Sequence, residues 1–365
     1  MKIVQLIYSL SSGGAERFVV DLSNELARQG HEVHLVIFRS GEGSEFYRFL
    51  IDESVVFHNM NIKKGFGVSP VFKVMNELRE INPDVVHAHL NVVPYLYIFS
   101  LMNKCIKVIH TLHNIASRTV GSLFQVRINQ FMYKRNIIQP VAISDVCADS
   151  FRSFYGIESI EVIDNGRSPV VAGDEYSCAS EQINSFLQGS KKPVFVHVAR
   201  FHPQKNQDLL ISSFNKLHDE GVGFLLLVIG SGYDRPGEAQ ILRDKACTSI
   251  KFLGEKRNVG DYLLLADAFC LSSHYEGLPI SLLEALSAGC VPICTAVGGI
   301  PDVITDGVTG YLSIDCDIES YCRAIRRYLS SPNSIDKTSL QSFFNKHYSI
   351  EQCALSYISL YNGQR

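Results

Sequence analysis

Two glutamates, Glu276 and Glu284, stand in the stretch Ser272-Ser273-His274-Tyr275-Glu276-Gly277-Leu278-Pro279-Ile280-Ser281-Leu282-Leu283-Glu284-Ala285. On one unbroken helix they would lie about 12 Å apart. Gly277 and Pro279 interrupt the chain between them, and Pro279 suits a first helical turn. Glu276 is therefore expected in a loop, with Glu284 roughly one turn into a helix. Both carboxylates would then face one ligand, while helix N–H groups near Ile280–Leu282 face its phosphate. Glu284 has apolar neighbours on both sides in sequence and needs a polar partner.

Arg200 and Lys205 lie in Val198-Ala199-Arg200-Phe201-His202-Pro203-Gln204-Lys205-Asn206, between a strand and a helix. Two cations beside a helix N-terminus suit a strong anion such as a diphosphate. Ser11-Ser12-Gly13-Gly14-Ala15-Glu16-Arg17 forms a second strand-to-helix turn, where glycine lets backbone approach a ligand. It lacks the GxGxxG spacing of a dinucleotide fingerprint. His87, His89, His110 and His113 gather at the ends of two strands. His87 and His89 share one strand face, yet no acid or cysteine nearby completes a metal site. His113 and His89 are read as sugar contacts, and His110 as facing elsewhere. Asp315-Cys316-Asp317 precedes a helix and reads as a capping turn.

These loops need strands and helices to hold them. Short apolar runs at Ile3–Tyr8, Val33–Phe38, Val55–Met60, Asp84–His89, Val108–Leu112, Pro140–Ile143 and Ile160–Ile163 alternate with amphipathic helical patterns. The pattern restarts with Val194–Ala199, Phe224–Ile229, Ile250–Leu253, Ala268–Leu271, Val291–Cys294 and Gly310–Leu312. This predicts an α/β protein of two tandem Rossmann-like, doubly wound parallel-sheet domains facing a cleft. The expected boundaries are 1–166 for the first domain, 167–192 for a linker and 193–338 for the second. Residues 339–365 read as a surface helical segment that crosses back to the first domain. Open parallel sheets bind ligands at their carboxyl edges.

The E-x7-E spacing of Glu276 and Glu284, followed by Ala288-Gly289-Cys290-Val291-Pro292 and Gly298-Gly299-Ile300-Pro301-Asp302, resembles the retaining glycosyltransferases of family 4, with the GT-B fold. Gly13-Gly14-Ala15-Glu16-Arg17, Arg200 with Lys205, Gly230-Ser231-Gly232 and the turn at Gly307–Leu312 carry the same resemblance, in the same order. It implies that Glu284 holds the nucleotide ribose and that Arg200 and Lys205 neutralise the donor diphosphate. Gly14 would meet phosphate through its backbone, and Glu276 would stand near the donor sugar. Gly277, Leu278 and Pro279 would line the sugar pocket, with Gly230 and Leu283 also on the donor side. Lys256 and Arg257 would frame the base. His113 would face the reacting centre, with Glu16 and His89 on the acceptor side. The implied activity moves a sugar, most often UDP-linked, to a glycan or lipid-linked acceptor in bacterial O-antigen, capsule or exopolysaccharide synthesis. No cofactor and no metal are expected, because cations and helix termini stabilise the leaving diphosphate. The rivals are a GT-B nucleotide-sugar epimerase and a non-catalytic sugar-binding subunit.

Composition bounds these readings. The chain has 365 residues, 46% of them hydrophobic, enough for two cores. Its net charge of −3 argues against a nucleic-acid partner. Ten cysteines without a CxxC pair suit a reducing compartment. Met1–Tyr8 does not read as a signal peptide, and no apolar run approaches a membrane span. Between Asp84 and Asp145 there is no acid, while Lys104, Lys107, Arg118, Arg127, Lys134 and Arg135 supply positive charge. Residues 118–136 interleave these cations with Phe124, Val126, Ile128, Phe131 and Met132. That stretch is expected to touch an anionic membrane. The expected location is cytoplasmic, with peripheral attachment to the inner face of the cell membrane.

Overall fold

Strand-sized apolar runs separated by amphipathic helices leave little choice but parallel sheets covered on both faces. The computed structural model describes residues 1–39, 44–62, 68–118, 120 and 122–363. The chain divides into two compact units, Met1–Ser168 with Tyr348–Arg365, and Pro169–His347.

The first unit holds β1 (Lys2–Ile7), β2 (Glu32–Ile37), β3 (Val56–Asn59), β4 (Val85–His89), β5 (Lys107–Leu112), β6 (Gln139–Ala142) and β7 (Glu161–Val162). Between them run α1 (Gly14–Arg28), α2 (Val68–Ile81), α3 (Tyr97–Met102), α4 (Leu123–Lys134) and α5 (Asp145–Tyr155). The sheet order is β3-β2-β1-β4-β5-β6-β7, and every pair is parallel. α1 turns Phe18, Leu22 and Leu26 inward at helical spacing. Ser144 caps α5 by accepting the Cys147 N–H at 3.3 Å, and left-handed Gly156 ends it.

The second unit opens with α6 (Tyr176–Leu187) and continues through β8 (Val194–Val198), α7 (Gln207–Asp219), β9 (Leu225–Ile229), α8 (Glu238–Asp244), β10 (Ile250–Gly254) and α9 (Val259–Leu265). β11 (Ala268–Leu271), α10 (Ile280–Ser287), β12 (Val291–Thr295), α11 (Ile300–Val303), β13 (Tyr311–Ser313), α12 (Ile318–Ser330) and α13 (Lys337–His347) complete it. The order is β10-β9-β8-β11-β12-β13, again all parallel. The last helix, α14 (Ile350–Tyr361), rejoins the first unit against α1.

Three expectations change. The segment 167–192 is not a free linker, because α6 buries Ala179 and Ile183 and packs on α9. Only two deeply buried side chains hold it, so its apolar stripe is thin and escapes periodicity. Residues 339–365 do not form one surface helix. Ser349 starts α14 by accepting the Gln352 N–H at 3.4 Å, and Cys353, Ala354, Tyr357 and Tyr361 are buried. Within 118–136, Met132 belongs to the core, and Val126 and Ile128 pack against it. The outward side chains of α4 are Leu123, Phe124, Arg127, Phe131 and Lys134. Thr119 and Gly121 of that stretch lie outside the described residues. Among the described residues no helix is long and apolar enough to cross a membrane.

The return of the chain is pinned by charge. Arg167 meets Asp21 of α1 at 2.5 Å, with both side chains 5% exposed, and Asp21 also accepts from Arg17 at 3.2 Å. The Arg167 N–H donates to the Tyr348 carbonyl at 2.9 Å, and its carbonyl accepts from Ile350 at 3.1 Å. Removing one partner of a buried pair strands the other charge. Asp21→Asn is therefore expected to lower unfolding stability by about 3 kcal/mol in urea titrations. A loss below about 1 kcal/mol would mean that the pair behaves like a solvated one.

Candidate functional site

Both sheets reverse their winding direction once, between β1 and β4 and between β8 and β11. Loops leaving the carboxyl ends of such neighbouring strands diverge and open a crevice. In the first unit these are the glycine turn after β1 and the segment after β4. In the second they are residues 199–206 and 272–279.

In the first unit, Gly13 is the N-cap of α1 and Gly14 begins it, exposed. Ser11 Oγ donates to Glu16 Oε1 at 2.9 Å, folding that carboxylate back over the turn. A Cβ on Gly13 would meet the Glu16 carboxylate and displace it from the turn. Glu16 is thus engaged with its own loop.

The β4 and β5 histidines divide between two environments. His87 and His89 stack with ring centroids 4.1 Å apart, as alternate strand positions require. His113, just past β5, bonds through Nε2 to His89 Nδ1 at 3.0 Å and packs edge-on to Phe18 at 5.4 Å. His110 points away, bonded to Tyr133 at 2.8 Å and the Leu90 carbonyl at 2.8 Å. Burial, and secondarily the positive charge His110 would carry, pushes His113 down to about 3. Burial pushes His110 down to about 4, with the Leu90 carbonyl opposing. His87 and His89 lie well below the ordinary imidazole range for the same first reason. All four are neutral at pH 7.

In the second unit, a short 3-10 turn at Pro203–Lys205 follows β8. His202 caps it by accepting the Gln204 N–H at 3.2 Å. Lys205 Nζ meets Glu276 Oε1 at 2.6 Å. Glu276 is 5% exposed and also accepts from Ser273 Oγ at 2.5 Å. Gln204 donates to the Tyr275 carbonyl at 3.0 Å, and Ser272 Oγ to the Lys205 and Asn206 carbonyls at 3.0 Å each. The two loops are therefore stitched along the β8–β11 edge. Arg200 is exposed, while its carbonyl is held by Gln207 at 2.9 Å.

Glu284 sits in the second turn of α10, half-buried, with Leu283 fully buried beside it. Glu276 occupies the preceding loop, so the break at Gly277 and Pro279 separates the two acids as the sequence implies. Gly277 and Leu278 are buried. One detail is corrected. The Leu282 N–H is not open to a ligand, because it donates to the Pro279 carbonyl at 3.1 Å. Pro279 is the residue before the helix, and α10 begins at Ile280. Lys256 lies over the Tyr262 ring at 5.9 Å, and Arg257 beside it is exposed. Gly230 has φ +151, and a Cβ there would overlap the Ala199 carbonyl. Its lack of a side chain therefore serves the fit of the Arg200 loop.

Sequence reading missed Ser273 and Gln204 as partners of Glu276, and Gln5 as the partner of His89. It also missed what Gly298 does. With φ +56, Gly298 presses on the Glu276 backbone where a Cβ would overlap its carbonyl oxygen. The Gly298-Gly299 pair after β12 was the available signal. Among the described residues, no group of three His, Cys, Asp or Glu side chains is placed to hold a metal ion. Asp317 caps α12 by accepting the Ser320 N–H at 2.7 Å, the capping role expected of Asp315-Cys316-Asp317.

Residues 179–341 match the glycosyl transferases group 1 family, and residues 12–169 match Glycosyltransferase Family 4. N-acetyl-alpha-D-glucosaminyl L-malate synthase of Bacillus anthracis is 23% identical over 314 residues, 83% of this chain and 81% of that protein. A Campylobacter jejuni alpha-1,4-N-acetyl-D-galactosaminyltransferase, named for an undecaprenol-diphosphate-linked glycan, is 26% identical over 331 residues, 87% of this chain and 86% of its own. The crystal structure of Anabaena HepE in complex with UDP superposes with a TM-score of 0.81 at 17% identity, covering 100% of both chains.

The four neutral histidines make acid stability a test of their burial. A histidine whose folded pKa is depressed gains protons on unfolding, so stability falls as pH drops below its unfolded value near 6.5. At pH 5 each such histidine costs about 2 kcal/mol. Melting temperature is expected to fall steeply from pH 6.5 toward 4, and His110→Gln is expected to flatten that limb. A limb starting only below pH 5 would place the histidines in contact with solvent.

Proposed function

The chain belongs to the group 1 and family 4 glycosyltransferases, and on that premise we propose that it moves a sugar from a UDP-linked donor to a hydroxyl of a glycan or lipid-linked acceptor, with retention at the anomeric carbon. The Lys205–Glu276 pair at the β8–β11 edge supports this most directly. As the glycosidic bond breaks, negative charge gathers on the leaving diphosphate. Lys205 and the exposed Arg200 are the cations at hand to stabilise it, with no metal required. Glu276, held by Lys205 and Ser273, is fixed for the donor sugar. Glu284 takes the ribose, Gly14 meets phosphate, and Lys256 and Arg257 stand beside the base. Gly277, Leu278, Pro279, Leu283 and Gly230 shape the donor pocket. His113 faces a sugar hydroxyl at the carboxyl edge of the first unit's sheet, and that unit takes the acceptor near Glu16 and His89. HepE was crystallised with UDP, and the Campylobacter relative is named for a lipid-linked glycan. The first supports a UDP-linked donor and the second a lipid-linked acceptor, and the role we propose is in bacterial O-antigen, capsule or exopolysaccharide synthesis.

Lys205→Ala and Glu284→Ala are each expected to reduce transfer from UDP-sugars on the order of a hundredfold. EDTA should leave the wild-type rate unchanged, and NMR of the product should show the donor's anomeric configuration. Full transfer by either variant would sink the residue roles, and an inverted product would sink retention. Release of free nucleotide without any acceptor product would favour the epimerase.

The acceptor's lipid calls for a membrane-facing surface. α4 presents Leu123 and Phe124, 84% and 74% exposed, beside exposed Arg127, Lys134 and Arg135. α3 adds exposed Ile98, Leu101 and Met102. Tyr97 donates to Asn129 at 2.6 Å, which ties the two helices into one patch. Apolar side chains among cations suit an anionic bilayer. The protein is expected to sediment with phosphatidylglycerol vesicles and not with phosphatidylcholine vesicles. Phe124→Ser with Phe131→Ser should abolish that binding while leaving transfer to a water-soluble acceptor intact. Equal sedimentation by the double variant would remove this surface as the membrane contact.

A further inference from the structure

His113 is the end of a buried chain of polar side chains that runs to the returning helix α14. His113 Nε2 meets His89 Nδ1 at 3.0 Å, and His89 Nε2 meets Gln5 Oε1 at 2.7 Å. Gln5 Nε2 donates to Tyr361 Oη at 3.4 Å, and Tyr361 Oη meets His87 Nδ1 at 2.7 Å. His87 Nε2 meets Thr111 Oγ1 at 2.7 Å, and Thr111 meets Tyr357 Oη at 2.9 Å. Gln5, His87, His89, Thr111 and Tyr357 are all 0% exposed, so each bond must be made within the protein.

The orientation of the Gln5 amide, carbonyl toward His89 and NH2 toward Tyr361, sets the direction of donation. Gln5 Oε1 only accepts, so His89 Nε2 carries the hydrogen and neutral His89 keeps a lone pair on Nδ1. His113 must then donate its Nε2–H inward. Gln5 Nε2 donates to Tyr361, which donates to His87 Nδ1. His87 in turn donates to Thr111, and Thr111 to Tyr357. The reverse direction would need the Gln5 amide turned over, with its NH2 toward His89, and would put the His113 hydrogen on Nδ1. Desolvation keeps the imidazoles neutral, so no second ring proton breaks the order. His113 Nδ1 makes no hydrogen bond to any described residue.

We infer that Gln5, His89 and Tyr361 are positioning residues that lock His113 in its Nε2–H tautomer and leave Nδ1 to accept a hydrogen bond from a substrate hydroxyl. Tyr361 belongs to α14, so the last helix of the chain would set the orientation of a residue at the sheet edge. The inference rests on the reading above that His113 faces the sugar.

The test uses the full chain with 15N-labelled histidine. Tyr361→Phe keeps the ring and removes the hydroxyl, and Gln5→Met keeps the volume and removes the amide. In wild type, long-range 1H–15N correlations should show His113 protonated at Nε2 alone. In both variants a tautomer mixture should appear, with kcat down on the order of tenfold and donor KM within about twofold. In a His113→Ala background, Tyr361→Phe should cost nothing more, because its effect passes through His113. An unchanged His113 tautomer in both variants, or losses that multiply in the double variant, would overturn the relay. Full kcat in His113→Ala alone would instead overturn the reading of His113, while a tautomer shift in Tyr361→Phe would still uphold the relay.

Discussion

A parallel sheet brings every strand's carboxyl end to one edge, and a reversal of winding leaves a crevice there. That constraint acts twice in this chain, at β1 with β4 and at β8 with β11. Several of the residues singled out by their chemistry lie in the loops that leave those strand ends or the strands beside them. Gly14 follows β1, His89 ends β4, and His113 follows β5. Arg200 and Lys205 follow β8, and Glu276 follows β11. The central strands β1, β4, β8 and β11 are mostly buried and carry the cores, so variation in chemistry is left to the loops.

This division explains which features were legible in the sequence. All thirteen described strands fall where apolar runs predict them, because burial on both faces makes such runs continuous. Ser144 and Gly156 bracket α5 as a cap and a left-handed stop should. α6 was missed because it presents only a thin buried stripe, and the two-helix ending was read as one because both segments are good helix formers. The break between α13 and α14 is set by the docking of Tyr348–Ile350 on Arg167, a pairing of residues far apart in the chain. No local pattern carries that.

The site shows the same limit. Residue types and loop positions identified Glu276, Lys205 and His113, but not their partners. Glu276 looked like a loop acid near a sugar. Its burial, the Lys205 contact and the Ser273 hydroxyl depend on how two loops from different strands meet. Gly298 and Gly230 show the reverse case. Both glycines are visible in the sequence, yet their purpose appears only when the neighbouring carbonyls of Glu276 and Ala199 are seen to occupy the space of a Cβ. Gln5 and Tyr361 have no motif at all, being separated by nearly the whole chain.

The loop pair of the second unit and the histidine cluster of the first hold their polar groups in different ways. In the second unit the half-buried Lys205 pairs with the buried Glu276. Such a pair gives little net stability, but losing either member leaves a charge uncompensated. The first unit buries no charge among its histidines. Its chain from His113 to Tyr357 is neutral, with His113 donating at one end and Tyr357 accepting at the other. Neutral acceptors and donors suit sugar hydroxyls, as paired charges suit a phosphate.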